Sequence, residues 1–535
     1  MITRVVISGY RCFKHLDLEP NPGLNIIVGD NECGKSTLLE AIALGLTGRI
    51  NGRWAVEELN PFWFHQQAVL DFFAAYARNE PVEPPAISIE LYLASDIDAV
   101  QRFRGVHNSQ LKDSPGVALT VSPAADYRVE LDEYLASSPP AILPVEYYEV
   151  DWHSFADQRL AKRPRELATS YIDSRTIRST AGVDYHTREM LSEHLDSQER
   201  AAISLAHRRS RQTITEETLG AINERIGRDS KQLHHKPIGL QMDQSSRSSW
   251  EAGVVPQVED IPFAMSGQGQ QSAIKMSLAM SRTAGASTFV LIEEPENHLS
   301  HTSLNRLISR IATLAGEDQQ LFICTHSSFV ANRLGIDKLV LLHQGTPAKL
   351  SSLTPDTVSY FRKLAGYDTL RLVLATHVVL VEGPSDAIIF ERAYRDIVGS
   401  LPIENGVDVI SMGGLTSRRA LEVCRALKRR VTALQDNDGR TPDEIVDALG
   451  ELLEDETRVL FVGDPDDGTT LEPQLVSANS INTLRAVLGL KDSVDPLEWM
   501  TNNKTEMAIR IFDAKEPISM PRYVREAIEF LRQHT

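Results

Sequence analysis

Eight residues, Gly29-Asp-Asn-Glu-Cys-Gly-Lys-Ser36, constrain this chain more than any others. They fit G-x-x-x-x-G-K-[ST] in full and lie between an apolar run, Leu24-Asn-Ile-Ile-Val28, and Ser36–Leu46, whose apolar spacing is helical. Glycines at these places let backbone N–H groups curl round phosphates at the positive end of the following helix. Lys35 is placed to reach the β- and γ-phosphates, and Ser36 to ligate Mg²⁺. A surface Gly/Lys turn could match by chance, but the flanking strand and helix argue against that. Strand, loop and helix in this order predict an α/β fold that binds ATP, with Gly29, Asn31, Gly34, Lys35, Ser36 and Thr37 as nucleotide-binding residues.

A phosphate loop needs an acidic partner on another strand. Phe289-Val-Leu-Ile-Glu-Glu-Pro-Glu296 offers one. Glu293 would hold the water shell of the nucleotide's metal, and Glu294 would polarise the attacking water. Alone, this would be an ordinary acidic strand end. His326, in Ile323-Cys-Thr-His-Ser327, ends the next apolar run, where its imidazole could contact the γ-phosphate. Ala264-Met-Ser-Gly-Gln-Gly-Gln-Gln271 is either a simple N-cap loop or a second anion nest built on Ser266 and Gly267.

At 535 residues the chain should hold three or four units. Its 55 basic and 73 acidic residues leave a net charge of −18, which argues against broad coating of nucleic acid but not against a local basic groove. No run approaches the roughly 20 apolar residues of a membrane span. The amino terminus lacks the parts of a signal peptide, and Cys12, Cys33, Cys324 and Cys424 show no paired spacing, so a cytoplasmic protein is expected. Strands are expected at Thr3–Phe13, Ala86–Leu93, Thr288–Ile292, Gln320–Cys324 and Lys338–Leu342. Between about 157 and 247 apolar density falls and the pattern looks helical, at Arg165–Ile172, Arg188–Leu195 and Glu216–Arg225. Asp356–Thr376 also reads as helical.

The carboxy-terminal part carries a second constellation. Val378-Val-Leu-Val-Glu382-Gly-Pro-Ser-Asp386 is a strand running into a tight turn and a helix. Val431-Thr-Ala-Leu-Gln-Asp436-Asn-Asp438 is a strand ending in D-x-D, and the Gly413-Gly414 pair falls between them. Strand ends of a parallel sheet lie on one edge, the usual place for an α/β active site. If the end stays extended, Asp436 and Asp438 point the same way. Carboxylates gathered so closely repel, which calls for a cation, and oxygen ligands favour Mg²⁺ or Mn²⁺.

The order of the front motifs resembles the ATP-binding-cassette ATPases of the RecF and SMC type. That resemblance implies two heads sandwiching ATP, with the turn at Ser266 of one completing the site at Lys35 of the other. Glu293 stands where Asp is commoner, and Met-Ser-Gly-Gln-Gly-Gln replaces Leu-Ser-Gly-Gly-Gln. Gln66 and Gln67 are candidates for the Q-loop glutamine. The back constellation resembles the Toprim fold of topoisomerases, primases and certain nucleases. The fusion of the two resembles the OLD (overcoming lysogenisation defect) nucleases over nearly the whole chain.

From that resemblance follow an ABC-type head, 1–155 and 251–375, split by a helical dimerisation insertion, 156–250, and a Rossmann-like Toprim domain, 376–535. It further implies that Glu382, Asp386, Asp436, Asp438 and Glu472 hold two divalent ions, while Lys504 stabilises the pentavalent phosphate. Asp464, Asp466 and Asp467 read as a solvated turn. The expected activity is an ATP-regulated DNA endonuclease in anti-phage defence or DNA processing, working as a homodimer or larger homo-oligomer with a helicase-like companion protein and no membrane. The alternative is a RecF- or SMC-like clamp without cleavage. A topoisomerase-like subunit is disfavoured, because no tyrosine-bearing DNA-gate domain can be assigned. Basic surfaces that could meet DNA are His207–Arg211, Arg425–Arg430 and Arg159–Arg165.

Overall fold

The computed structural model describes the chain except residues 51, 138–141, 174–194, 231–237, 244, 246–249, 255–256, 259, 268, 272–287, 298, 315–318, 344, 351–352, 365–368, 376, 414, 455 and 535. Three sheets of four or more strands organise the described residues.

An antiparallel sheet is built from the amino-terminal strands Phe13–Leu18 and Ile2–Tyr10, followed by Ile87–Leu93 and Ser114–Pro123, with Arg104–Gly105 and Tyr148–Ser154 pairing on Ser114–Pro123. The β-branched stretch at the start thus makes two strands, parted at Arg11, whose φ of 48° turns the chain.

A second sheet runs Ala168–Asp173, Thr288–Glu293, Gln319–Cys324, Leu24–Gly29 and Leu339–His343 in parallel, closed by antiparallel Thr346–Lys349. Leu24–Gly29 is buried along its whole length, as expected for a parallel strand covered on both faces. Helix Lys35–Thr47 lies between the two sheets, with Leu38, Leu39, Ile42 and Leu44 fully buried.

The segment Arg165–Ile172, expected as helix, is instead a short 3-10 turn followed by strand Ala168–Asp173. Pro164 precedes the turn, and Thr169, Ser170 and Ile172 are buried at the edge of the parallel sheet, so pairing with Thr288–Glu293 overrides local preference. Helices do follow, at Ser197–Thr213 and Gly220–Ser230 around a π-turn. Arg188–Leu195 lies, but for its last residue, outside the described residues. Asp356–Thr376 resolves into two short helices, Pro355–Lys363 and Thr369–Leu374.

The carboxy-terminal sheet is parallel, in the order Val407–Ser411, His377–Val381, Arg430–Gln435, Arg458–Val462. It does not stand apart from the front. A single apolar core runs from Ile26, Val290 and Ile323 through Val330, Phe361, Leu370 and Val373 to Val378, Ile410 and Leu421. Buried Arg429 donates to the carbonyl of Val373 at 2.9 Å, and Leu370 N donates to Ser328 Oγ at 3.3 Å. Among the described residues, no helix is long and apolar enough to cross a membrane.

Candidate functional site

The phosphate loop leaves its buried strand at Gly29 and enters helix Lys35–Thr47 through Gly34, whose φ is 101°. A side chain there would be strained twice, by the backbone and by Cys12 Sγ, which a Cβ would meet at 2.7 Å. Lys35 is 7% exposed, and its Nζ donates to the carbonyls of Gly29 at 2.8 Å and Asp30 at 2.7 Å. The ammonium is thereby folded back over the loop, while Asn31 is exposed and Thr37 half-buried.

The end of strand Thr288–Glu293 brings the first acid to this loop. Buried Glu293 accepts from Ser36 Oγ and, at 2.9 Å, from the hydroxyl of Tyr171. Glu294 then turns with φ 47°, its N–H donating to Cys324 O at 2.9 Å. Its carboxylate lies 3.9 Å from His326 Nε2 and accepts from Asn297 at 2.5 Å. Glu296 holds the following loop by accepting from Thr325 Oγ1 and His326 N, each at 2.8 Å. Ser36 and Glu293 therefore meet, as do Glu294 and His326. Ser266 and Gly267 open a separate helical turn, where Gln271 donates to their carbonyls at 2.8 and 3.0 Å. Gln66 and Gln67 start helix Gln66–Ala77 and line an open cleft of about 670 Å³ with Arg11 and Cys12.

At the other end, the two central strands of the carboxy-terminal sheet deliver Glu382 and Asp436 side by side. Asp436 N donates to Glu382 Oε1 at 3.0 Å. Asp386, in the first turn of helix Pro384–Val398, accepts from Gly383 N at 3.1 Å. Asn437, fully buried, donates to the carbonyls of Gly463 at 3.1 Å and Gly468 at 2.7 Å and pins the turn. Asp438 is exposed, with φ 49°. It does not lie on a continued extended strand as the D-x-D spacing suggested; the chain turns as soon as Asn437 is anchored. Its charge still acts on Glu382. Glu472, 2% exposed, accepts from Thr470 Oγ1 at 2.8 Å and pairs with Lys504 Nζ at 2.9 Å.

These groups form one electrostatic cluster. Burial, then the charges of Glu382, Asp386 and Glu472, push Asp436 up to about 8. Burial raises Glu382, with Asp386 and Asp438 adding to it. Asp386 is raised by burial and by Glu472, and Lys504 is raised by its bond to Glu472. Asp436 Oδ1 is buried with no hydrogen-bond partner, an arrangement that ordinarily costs about 1–3 kcal/mol. Among the described residues no three His, Cys, Asp or Glu side chains are already drawn into a metal-holding geometry. Oxygen-only chemistry and mutual repulsion nevertheless fit a hard divalent cation.

Comparison with known families bears on both ends. Residues 4–62 match an AAA domain, residues 154–331 an AAA ATPase domain, and residues 373–438 an overcoming lysogenization defect protein-like TOPRIM domain. The chain joins an AAA-type ATPase head to an OLD-like Toprim domain.

Over 371 residues this chain is 23% identical to the DNA replication and repair protein RecF of Magnetococcus marinus, covering 61% of this chain and 91% of that one. It is 44% identical to structural maintenance of chromosomes protein 6 of Saccharomyces cerevisiae over 45 residues, 8% of this chain and 4% of that one. Among solved structures it is similar to the C-terminal region of the Burkholderia pseudomallei OLD protein, at 19% identity over 30% of this chain and 98% of that one, TM-score 0.25. It is also similar to the recombination mediator protein RecF, at 14% identity over 65% and 98%, TM-score 0.33.

Two residues near the head and Toprim sites were not singled out from the sequence. Tyr171 binds Glu293 from a strand whose apolar alternation was masked by its charged approach, Arg163 to Glu166. Tyr523 sits on the last Toprim helix, Arg522–His534, where nothing in the local pattern distinguishes it from a core aromatic. Asp464 and Asp466 are exposed, as a solvated turn requires. Of the basic stretches, Arg208 and Arg209 are exposed on helix Ser197–Thr213, and Arg159 and Arg165 on a cleft of about 450 Å³ with Arg102 and Lys162. Arg429, by contrast, is buried against Val373 and offers nothing to DNA.

Proposed function

We propose that this ATPase–Toprim protein is an ATP-regulated, divalent-metal-dependent DNA endonuclease. The observation that carries the reading is the set of half-buried Glu382, Asp386 and Asp436 with buried Glu472 at the carboxyl edge of a parallel sheet, with Asp436 raised to about 8. Such a set is stabilised by positive charge, and Asp438 adds an exposed ligand at its mouth. These five carboxylates would hold two Mg²⁺ or Mn²⁺ ions. Bound there, the ions would supply an activated water and charge stabilisation for phosphodiester hydrolysis.

The residues themselves do the rest. Glu382 and Asp436 are tied together by the Asp436 N–H, so the two strand ends act as one platform. Glu472 holds Lys504 at the rim, 52% exposed at its side chain, where an ammonium can meet the crowded phosphate. In the head, Lys35 would exchange the Gly29 and Asp30 carbonyls for phosphate oxygens. Ser36 and Glu293 would hold the nucleotide's Mg²⁺, and Glu294, steadied by Asn297 and beside His326, would orient the attacking water. Ser266 and Gly267 would complete the site of a second head. The continuous core between His326's following helix, Ser328–Leu334, and the Toprim sheet supports regulation by ATP.

Self-association would run through the arm Ser197–Ser230, which exposes Leu205 and Ile214. DNA would be met by Arg208, Arg209 and the cleft at Arg159–Arg165. Anti-phage defence or DNA processing in the cytoplasm, with a helicase-like companion, is the setting we infer. A clamp without cleavage is the second reading, favoured by the similarity to RecF over 61% of the chain. Plasmid nicking with Mg²⁺ or Mn²⁺ separates them. The nuclease reading expects wild-type nicking lost in Asp436→Ala; no cutting by wild type under any metal or nucleotide condition overturns it.

A further inference from the structure

Helix Arg522–His534 packs its Tyr523, Val524, Ala527, Ile528 and Leu531 face into the core beneath the Toprim sheet. Four of those five positions are aliphatic. Tyr523, 6% exposed, is the exception, and it does not face apolar surroundings alone. It shares a cavity with Asp386 and Asp436, walled by Val381, Phe390 and Leu471. That cavity measures about 10 Å³, room for about one water molecule.

Two observations meet there. Asp436 Oδ1 is buried without a hydrogen-bond partner, and Tyr523 lines the same small space as Asp436. A phenol beside a carboxylate donates its proton, and a single water with two such partners is the least that polar cavities hold. We propose that Tyr523 is a positioning residue for the Toprim site, fixing Asp436 Oδ1 through one water held between its hydroxyl and that oxygen, so that the carboxylate's other oxygen faces the cation. The inference rests on the reading of these carboxylates as cation ligands. Groups that orient a ligand from behind commonly change metal affinity 10- to 100-fold when removed.

The test uses the full chain and Mn²⁺ as probe, with free Mn²⁺ followed by electron paramagnetic resonance in wild type, Tyr523→Phe, Asp436→Asn and the double variant. Expected are an affinity about 10-fold weaker in Tyr523→Phe, an unchanged metal-free melting temperature, and no further loss when Tyr523→Phe is added to Asp436→Asn. Affinity within twofold of wild type overturns the role of the phenol, as does an equal further loss in the Asp436→Asn background. Wild-type protein that binds no Mn²⁺ overturns the cation reading and the phenol's role with it. Should Tyr523→Phe fail to fold, a metal-free crystal structure of the wild type decides. A water bridging the Tyr523 hydroxyl and Asp436 Oδ1 supports the proposal, and an Asp436 Oδ1 with no such water overturns it.

Discussion

The phosphate loop and the carboxylate platform are both built where strands of a parallel sheet end, yet they solve opposite electrostatic problems. At the loop the buried charges have found partners: Lys35 is bonded to two carbonyls, and Glu293 to Ser36 and Tyr171. The platform is short of positive charge, with three acids raised. A loop of backbone dipoles can close on its own lysine and reopen for a ligand. A cluster of side-chain acids is relieved by protons, by a metal or, as at Glu472, by a basic side chain.

Removing a charge should therefore act differently at the two places. The largest effect belongs to Asp436→Ala, which should lower nicking by more than about 100-fold, since on the proposed reading it deletes a ligand rather than a group behind one; plasmid relaxation with Mn²⁺ measures it. Equal nicking would sink the platform as the active centre. Lys35→Ala should weaken ATP binding about 10- to 100-fold, the worth of charge-assisted bonds, while leaving Mn²⁺ affinity intact. Fluorescent-nucleotide titration beside metal titration checks both halves, and a parallel fall in metal affinity would erase the contrast.

The platform should also make metal-free stability depend on pH. A carboxyl raised in the folded state keeps a proton that the unfolded chain loses, so stability falls as pH rises from about 4 towards 8 through Asp436. Melting temperatures without metal should drop across that window, and the drop should shrink in Asp436→Asn. A flat profile would mean that Asp436 is not raised in the folded protein. The smallest change is expected from Tyr171→Phe, which removes one bond to Glu293; a fall of about threefold to tenfold in ATP turnover, with nicking in the absence of ATP unaltered, would mark its role in the head.

Legibility followed chain locality. The loop at Gly29–Ser36 could be read because strand, turn and helix are contiguous and each residue's role is fixed by backbone geometry. Glu382, Asp386 and Asp436 could be read because two apolar runs each end in acids. Strand Ala168–Asp173 could not, since its neighbour Thr288–Glu293 is over a hundred positions away and supplies the burial that local composition lacks. The D-x-D spacing identified Asp438 but misjudged its backbone, because Asn437 is anchored by carbonyls from a distant turn. Arg429 looked like surface charge within a basic run and is instead buried where the head and the Toprim sheet share a core.

By itself, the sequence determined which residue types gather at strand ends: a glycine-bracketed lysine at the front and paired acids at the back, both set by local chain order. Only the tertiary structure decided how those charges are answered. Burial and partners arrive from remote segments, so Lys35 is satisfied from within its own loop, whereas Asp436 is enclosed by Glu382, Asp386, Glu472 and Tyr523, drawn from three other stretches of chain, with one oxygen left unbonded.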